Sequence, residues 1–188
     1  MRWGVGAAAL ALLLSGCSGG SEEASPSSAA ESTPGDDATV IISVETPAFG
    51  AGEAIPLGFS LEGGNTSPEI RWTVTGERVA ELVLVVDDPD APGGEPFVHW
   101  MAARIDPRTT SVSAGGRPDG AVEGENDFGR IGYGGPAPPE GETHTYRFRV
   151  LALDARSDLE EGFTPDELEA VLDAHLVASG ETTGTFTG

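Results

Sequence analysis

The sequence contains no lysine and only one cysteine, Cys17, among its 188 residues. A phosphate-binding loop of the Walker type needs a lysine, so that class of nucleotide site is excluded. A single cysteine cannot form an internal disulfide or a cysteine-based zinc site. Ten arginines face 31 acidic residues, which gives a formal net charge of -21. Because affinity for nucleic acids and anionic membranes depends on cationic side chains, neither is expected as an electrostatic partner.

Several sequence signatures of enzymes are also missing. Residues 39–188 contain no Gly-x-Ser-x-Gly nucleophile elbow, and the chain has no His-Glu-x-x-His zinc motif. A segment rich in glycine and proline at residues 129–141 lacks the order of a dinucleotide-binding loop. The acidity is consistent with a highly soluble surface or with adaptation to high salt, and it does not indicate an activity.

The first residues resemble a secretory signal. A basic start, Met1-Arg2, precedes an uncharged apolar run at residues 5–14. That run is too short to span a bilayer and has the length of a signal-peptide apolar region. Leu-Ser-Gly-Cys at residues 14–17 resembles the lipobox of prokaryotic lipoproteins, in which the chain is cut before the cysteine and the sulfur is lipidated. We therefore predict a lipid anchor on Cys17, with a buried free cysteine as the alternative.

Composition divides the chain into three segments. We predict a lipoprotein signal peptide at 1–16, a lipidated cysteine and disordered tether at 17–38, and one folded domain at 39–188. The tether is expected to be disordered because it contains small, polar and acidic residues and lacks large apolar ones. The predicted location is the cell envelope, at the outer face of the cytoplasmic membrane or the periplasmic side, with Cys17 as the membrane attachment.

The folded domain is predicted to be mainly β. A continuous apolar run at residues 82–86 indicates a strand that is buried on both faces. One helix is predicted after Thr164, because Pro165 stands at the first helical position and Glu167 completes a capping box. His175, near the end of this helix, is interpreted as structural. The predicted strands are residues 40–44, 55–61, 70–74, 81–87, 97–105, 143–153 and 183–187.

Three polar positions at strand ends could carry chemistry. Asp88 and Asp90 follow the buried strand, where a solvated acidic turn is the alternative interpretation. A calcium loop is disfavoured, because no bidentate glutamate follows at the required spacing. His99 lies on the next strand, and His144 and Tyr146 begin the long one. A lone histidine is usually structural, but the neighbouring polar groups favour a shared site.

These positions belong to motifs that resemble the phosphatidylethanolamine-binding protein family, in its prokaryotic Raf-kinase-inhibitor-like branch. The resemblance covers roughly residues 40–186. Many relatives carry arginine where this chain has Thr145, which removes one cation near the pocket. The matching motifs are Asp-Pro-Asp-Ala-Pro at 88–92, His-Trp at 99–100, Asp-Phe-Gly…Gly-Tyr-x-Gly-Pro-x-Pro-Pro-x-Gly at 127–141 and His-x-Tyr-x-Phe at 144–148.

The resemblance implies a β-sandwich of antiparallel sheets with Greek-key connections and a C-terminal helical element. It also implies a small pocket that binds phosphate or a phosphorylated head group. An acidic protein should repel such an anion, so His99 and His144 or hydrogen-bond donors must compensate. We therefore predict that anion affinity rises as the pH falls through the histidine range. The residues that match the family pocket are Asp88, Asp90, Pro92, His99, Pro138, Pro139, His144 and Tyr146.

Two functional classes remain open at this point. The favoured one is a non-catalytic binding or inhibitory module, whose partner is a phosphate-containing small molecule, a phospholipid head group, or a protein such as a kinase or protease. The alternative is a hydrolase or other enzyme that uses the Asp/His/Tyr pocket, in one version with a metal held by two histidines and a carboxylate. No catalytic residue, metal ligand or cofactor is assigned.

Overall fold

The computed structural model describes residues 39–188. The segments predicted at 1–16 and 17–38, including Cys17, lie outside the described residues. Within 39–188, no helix is long and apolar enough to cross a membrane. The strands and the α-helix are β1 (Ile41–Glu45), β2 (Ile70–Thr75), β3 (Glu81–Asp88), β4 (Phe97–Ile105), β5 (Ser111–Val112), β6 (Val122–Glu123), β7 (Glu125–Asn126), β8 (Arg130–Ile131), β9 (Thr143–Leu153), α1 (Pro165–His175) and β10 (Leu176–Thr187).

The strands form two main sheets. One sheet has the order β10-β9-β3-β4-β6 and the other the order β1-β2-β5, while β7 and β8 form a short pair. Neighbouring strands are antiparallel throughout these sheets. Strand β3 lies between β4, which follows it in the chain, and β9, which returns from much later. The arrangement confirms the predicted mainly β fold of antiparallel sheets with a helical element near the C-terminus.

The five-stranded sheet is covered on both faces. One face packs on the three-stranded sheet, and the other packs on α1 and the loop before it. Every residue of β3 is buried, as expected for a strand between two apolar layers. The first layer includes Ile70, Trp72, Leu84, Trp100 and Phe148, and the second includes Val83, Val85, Leu151, Phe163 and Leu168.

Helix α1 begins as its sequence predicts. The Thr164 hydroxyl accepts a hydrogen bond from the Glu167 backbone N–H, and the Glu167 carboxylate accepts one from the Thr164 backbone N–H. This reciprocal capping box satisfies two helix-terminal donors. At the other end, His175 Nδ1 lies 3.0 Å from Asp154 Oδ1. His175 therefore ties the end of the helix to the end of β9.

The prediction of a strand at residues 55–61 is wrong. Apart from one bridge between Ala54 and Thr185, the segment forms a short 3-10 helix at Leu57–Phe59. The backbone N–H and the hydroxyl of Ser60 both donate to the Leu57 carbonyl and close this turn. Pro56 cannot donate to a sheet, which disfavours a strand here.

The last strand is longer than predicted. It spans residues 176–187 rather than 183–187 and pairs along the whole of β9, with a bulge near its start. Its first half contains mostly small and polar residues, so hydrophobic alternation does not reveal it. Gly180 permits close packing there, because a Cβ at this position would lie 2.3 Å from the Ile42 carbonyl oxygen.

Candidate ligand-binding site

A buried histidine–carboxylate pair lies where β3 ends and β9 begins. Asp88 is the last residue of β3, and His144 is the second residue of β9. His144 Nδ1 lies 2.7 Å from Asp88 Oδ2, and the two side chains are only 6% and 5% exposed. The hydrogen bond to Asp88 raises the pKa of His144 and outweighs the opposing effect of burial. The site therefore favours a positively charged imidazole.

The second nitrogen of the His144 ring faces another carboxylate. His144 Nε2 lies 3.3 Å from Glu142 Oε2, and the Glu142 side chain is 61% exposed. This contact also raises the pKa of His144. Both ring nitrogens therefore donate to carboxylates when the imidazole is charged.

Backbone donors hold the acidic turn after β3 against the start of β9. The Asp90 backbone N–H donates to Asp88 Oδ1 at 2.9 Å. The Asp90 carboxylate in turn accepts from the Thr145 backbone N–H at 2.8 Å. Asp90 is itself exposed, whereas Asp88 is buried. The two aspartates thus have different roles: Asp88 holds the His144 ring, and Asp90 fixes the turn to β9.

Tyr146 brings an unsatisfied hydroxyl to the same place. Its side chain is fully buried, and its hydroxyl forms no well-aligned hydrogen bond within residues 39–188, although the Asp88 carboxylate and the Ala137 backbone lie near it. Burial, with a smaller contribution from the Asp88 charge, raises the pKa of Tyr146. The hydroxyl therefore stays protonated and can donate a hydrogen bond. A buried polar group without a partner is uncommon, and a bound ligand is one way to satisfy it.

A β-bulge places His99 next to Tyr146. Val86 pairs with Trp100 and Asp87 with Val98, so β4 has one extra residue, His99, at this point. Bulges of this kind redirect side chains near functional sites. The His99 ring packs edge-on against the Tyr146 ring, with 5.1 Å between their centroids.

The protonation state of His99 differs from that of His144. Burial lowers the pKa of His99. Its Nδ1 lies 2.8 Å from the Gly134 carbonyl oxygen, so the neutral ring donates there and leaves Nε2 as an acceptor. Of the two predicted sources of positive charge, His144 is therefore the one that the structure favours.

Two asparagines, Asn65 and Asn126, shape the loop that holds His99, and the sequence analysis did not include either of them among the pocket residues. Asn126 donates to the Gly132 carbonyl at 2.8 Å and accepts from two backbone N–H groups of its own turn. Asn65 accepts from the Gly135 N–H at 2.7 Å and has a positive φ of 49°. Gly135 is required by close packing, because a Cβ would lie 2.3 Å from a backbone carbonyl oxygen.

Two arginines of β9 follow His144 and Tyr146 closely in the sequence, but their side chains lie on the other face of the sheet. Arg147 and Arg149 both bind the buried carboxylate of Asp87. Asp87 is 2% exposed, and the arginines are 28% and 27% exposed. Their charge is therefore committed to Asp87, while His144 supplies the charge on the side of Asp88.

A cavity of about 440 Å³ lies between the loop at residues 136–140 and the C-terminal end of β10. Pro138 lines it, and so does Phe186, the cross-strand neighbour of His144. Ala137, another lining residue, has backbone close to the Tyr146 hydroxyl. The full lining is Leu57, Ser60, Glu62, Pro136, Ala137, Pro138, Glu140, Phe186, Thr187 and Gly188.

The eight predicted pocket residues divide into three groups. The structure brings together Asp88, Asp90, His99, His144 and Tyr146. Pro138 lines the neighbouring cavity. Pro92 and Pro139 are exposed and do not line that cavity. Within residues 39–188, no three metal-ligating side chains converge into a coordinating group.

Comparison with known proteins identifies the family. The family model described as phosphatidylethanolamine-binding protein matches residues 45–187. A UPF0098 protein of Pyrococcus horikoshii is 40% identical over 146 residues, which cover 73% of this chain and 73% of the relative. The crystal structure of Escherichia coli YbcL, described as a member of the mammalian PEBP family, has a TM-score of 0.73 and 31% identity, and the match covers 78% of this chain and 98% of YbcL. The chain belongs to the phosphatidylethanolamine-binding protein family.

One relative also matches at the N-terminus. LppC of Mycobacterium tuberculosis, which is named as a lipoprotein, is 36% identical over 188 residues. That match covers 96% of this chain and 92% of LppC. The similarity to a protein named as a lipoprotein thus extends well beyond the folded domain.

Proposed function

We propose that this protein is a non-catalytic, lipid-anchored binding module that holds the phosphate group of a small molecule or phospholipid head group. The ligand binds beside Asp88, His144 and Tyr146. The observation that carries the proposal is the buried Tyr146 hydroxyl, a donor without a partner among the described residues. An anionic oxygen placed there would accept this hydrogen bond and remove the cost of an unsatisfied buried group.

His144 supplies the charge that such a ligand requires. Asp88 raises the pKa of His144 and fixes the ring through Nδ1, which leaves Nε2 directed away from Asp88. A charged imidazole and a protonated tyrosine together offer two donors to one anion. The carboxylates around them oppose anion binding, so affinity depends on the protonation of His144.

The surroundings of His144 favour binding over acyl transfer. A histidine that activates a nucleophile contacts a hydroxyl or thiol. Within residues 39–188, the side chains hydrogen-bonded to the His144 ring are the carboxylates of Asp88 and Glu142. The ring is therefore arranged to carry charge.

Fluorescence titration tests the proposal. Trp100 is buried beside His99 in β4 and serves as the reporter. We expect saturable binding of inorganic phosphate and phosphoethanolamine that is lost in His144→Ala. His175→Ala is the matched control, because His175 lies at the end of α1 and contacts Asp154 instead. Absence of binding to the unmodified protein, or equal binding in His144→Ala, would contradict the proposed function.

The membrane attachment through Cys17 is a separate part of the proposal. Its support is the lipobox-like sequence at residues 14–17 and the similarity to LppC over 96% of the chain. In the lipoprotein modification that the lipobox implies, the sulfur carries a diacylglycerol, and two acyl chains give stable anchoring where one is marginal. Cell fractionation tests it: Cys17→Ser should move the protein from the membrane fraction to the soluble fraction. Retention of the variant in the membrane fraction would contradict the anchor.

A further inference from the structure

Glu142 occupies the second nitrogen of the His144 ring. It stands two residues before His144 at the start of β9, and its Oε2 lies 3.3 Å from His144 Nε2. Asp88 already holds the other ring nitrogen at 2.7 Å. The two carboxylates differ in burial, since the Asp88 side chain is 5% exposed and the Glu142 side chain is 61% exposed. Asp88 is thus a fixed partner of the ring, whereas Glu142 can rotate into solvent.

We propose that Glu142 is a built-in competitor that determines which anions this protein binds. Its carboxylate takes the position on His144 Nε2 that the anionic group of a ligand would take, so a ligand binds only by displacing it. The inference rests on the proposed function, because it assigns a specificity-determining role within that same site.

The competition favours doubly charged ligands. A carboxylate tethered two residues away has an effective concentration in roughly the millimolar range or above. A free monocarboxylate offers the same chemistry as Glu142 and gains nothing by replacing it. A phosphate dianion carries more charge and more acceptor oxygens, so it can bind His144 and also accept from the Tyr146 hydroxyl. The site should therefore select phosphate-type dianions over monocarboxylates.

The charges around His144 also bear on how tightly an anion binds. Asp88 and Glu142 contact the His144 ring, and Asp90 contacts the backbone N–H of the next residue, Thr145. Glu62 and Glu140 line the neighbouring cavity. Release of Glu142 removes both the competing acceptor and one negative charge near the ligand. Substitution of another carboxylate removes charge without freeing Nε2. The two effects can be separated by a pair of glutamate-to-glutamine variants.

The experiment measures the affinity of the full chain for sulfate, a tetrahedral dianion that keeps its double charge, and for acetate at about pH 5.5, where a histidine of raised pKa is charged. For Glu142→Gln we expect sulfate to bind roughly fivefold more tightly, because the variant loses one exposed like charge and the competing acceptor. We also expect acetate binding to become measurable in this variant. Glu140→Gln, which changes the charge equally without releasing Nε2, should show a smaller increase and no acetate binding.

An NMR titration of His144 separates failure of this inference from failure of the proposed function. Because the Glu142 contact raises the pKa of His144, we expect Glu142→Gln to lower that pKa. If sulfate binds the unmodified protein and Glu142→Gln equally, Glu142 is only a surface ion-pair partner and the inference is overturned. If the pKa falls but neither sulfate nor phosphate binds either protein, the proposed function fails and the inference fails with it.

Discussion

The pair formed by Asp88 and His144 should make the stability of the domain depend on pH. The perturbation is Asp88→Asn, which keeps the size of the side chain and an oxygen that can accept from the Asp90 N–H. It removes the charge that raises the pKa of His144. In the unmodified protein, a histidine with a raised folded-state pKa contributes stability that is fully present below its unfolded pKa. That contribution is lost as the pH rises through the folded-state value.

The magnitude follows from the geometry. The contact is 2.7 Å long, and both side chains are almost fully buried, so solvent screening is weak. A hydrogen bond to a charged group contributes about 1.5–3 kcal/mol. We therefore expect Asp88→Asn to lower the free energy of unfolding by about 2 kcal/mol at about pH 5.5. At about pH 8.5 the loss should shrink to about 1 kcal/mol or less, because neutral His144 then leaves a buried carboxylate without a cation.

Urea unfolding at the two pH values measures this difference. The fluorescence of Trp72 and Trp100, which are both buried, follows the transition. Asp90→Asn is the matched control, since Asp90 is exposed and hydrogen-bonds to the Thr145 backbone rather than to His144. Its effect should be small and similar at both pH values. A loss for Asp88→Asn that is equal at both pH values, or larger at the higher one, would refute the reasoning.

Three further substitutions have clear expected outcomes. Tyr146→Phe should leave the free energy of unfolding within about 1 kcal/mol of the original, because the hydroxyl has no hydrogen bond to lose. The same variant should bind phosphate about fivefold to tenfold more weakly in a calorimetric titration, and unchanged affinity would contradict this. Asp87→Ala should destabilise the domain by about 3 kcal/mol in urea unfolding, because Arg147 and Arg149 lose their shared partner; a loss below about 1 kcal/mol would be inconsistent with a buried ion pair. Thr164→Ala should cost about 1 kcal/mol through loss of the helix cap, and an unchanged unfolding midpoint would argue against the capping box.

Local patterns in the sequence predicted the elements whose signal is local. The apolar run at residues 82–86 indicates a strand buried on both faces, and β3 is such a strand. The cap at Thr164 similarly predicts where α1 begins. A strand was wrongly predicted at residues 55–61 because large apolar side chains alternate there, as they do in a strand. Pro56 and Gly58 occupy the intervening positions, and the segment turns instead.

The site could be predicted only in part, because its contacts join distant segments. Asp88 and His144 are 56 residues apart, and they meet because β3 pairs with β9. Their positions at strand ends and the family resemblance indicated both residues, whereas their hydrogen bond and the neutral state of His99 depend on the folded structure. The role of Glu142 could not be deduced from the motifs, because its contact with His144 depends on side-chain orientation. Asn126 acts through backbone carbonyls, which sequence patterns do not reveal.

The most direct test of the proposed anion site is the pH dependence of sulfate affinity, measured by calorimetry at about pH 5.5 and about pH 8.5. Sulfate keeps its charge across this range, so a change in affinity reports the protein. Charged His144 is proposed to bind the anion. Its pKa is raised, and the positive charge of the ring is lost as the pH rises above that pKa. We expect clearly tighter binding at the lower pH and loss of this difference in His144→Ala. Equal affinity at both pH values would contradict the account.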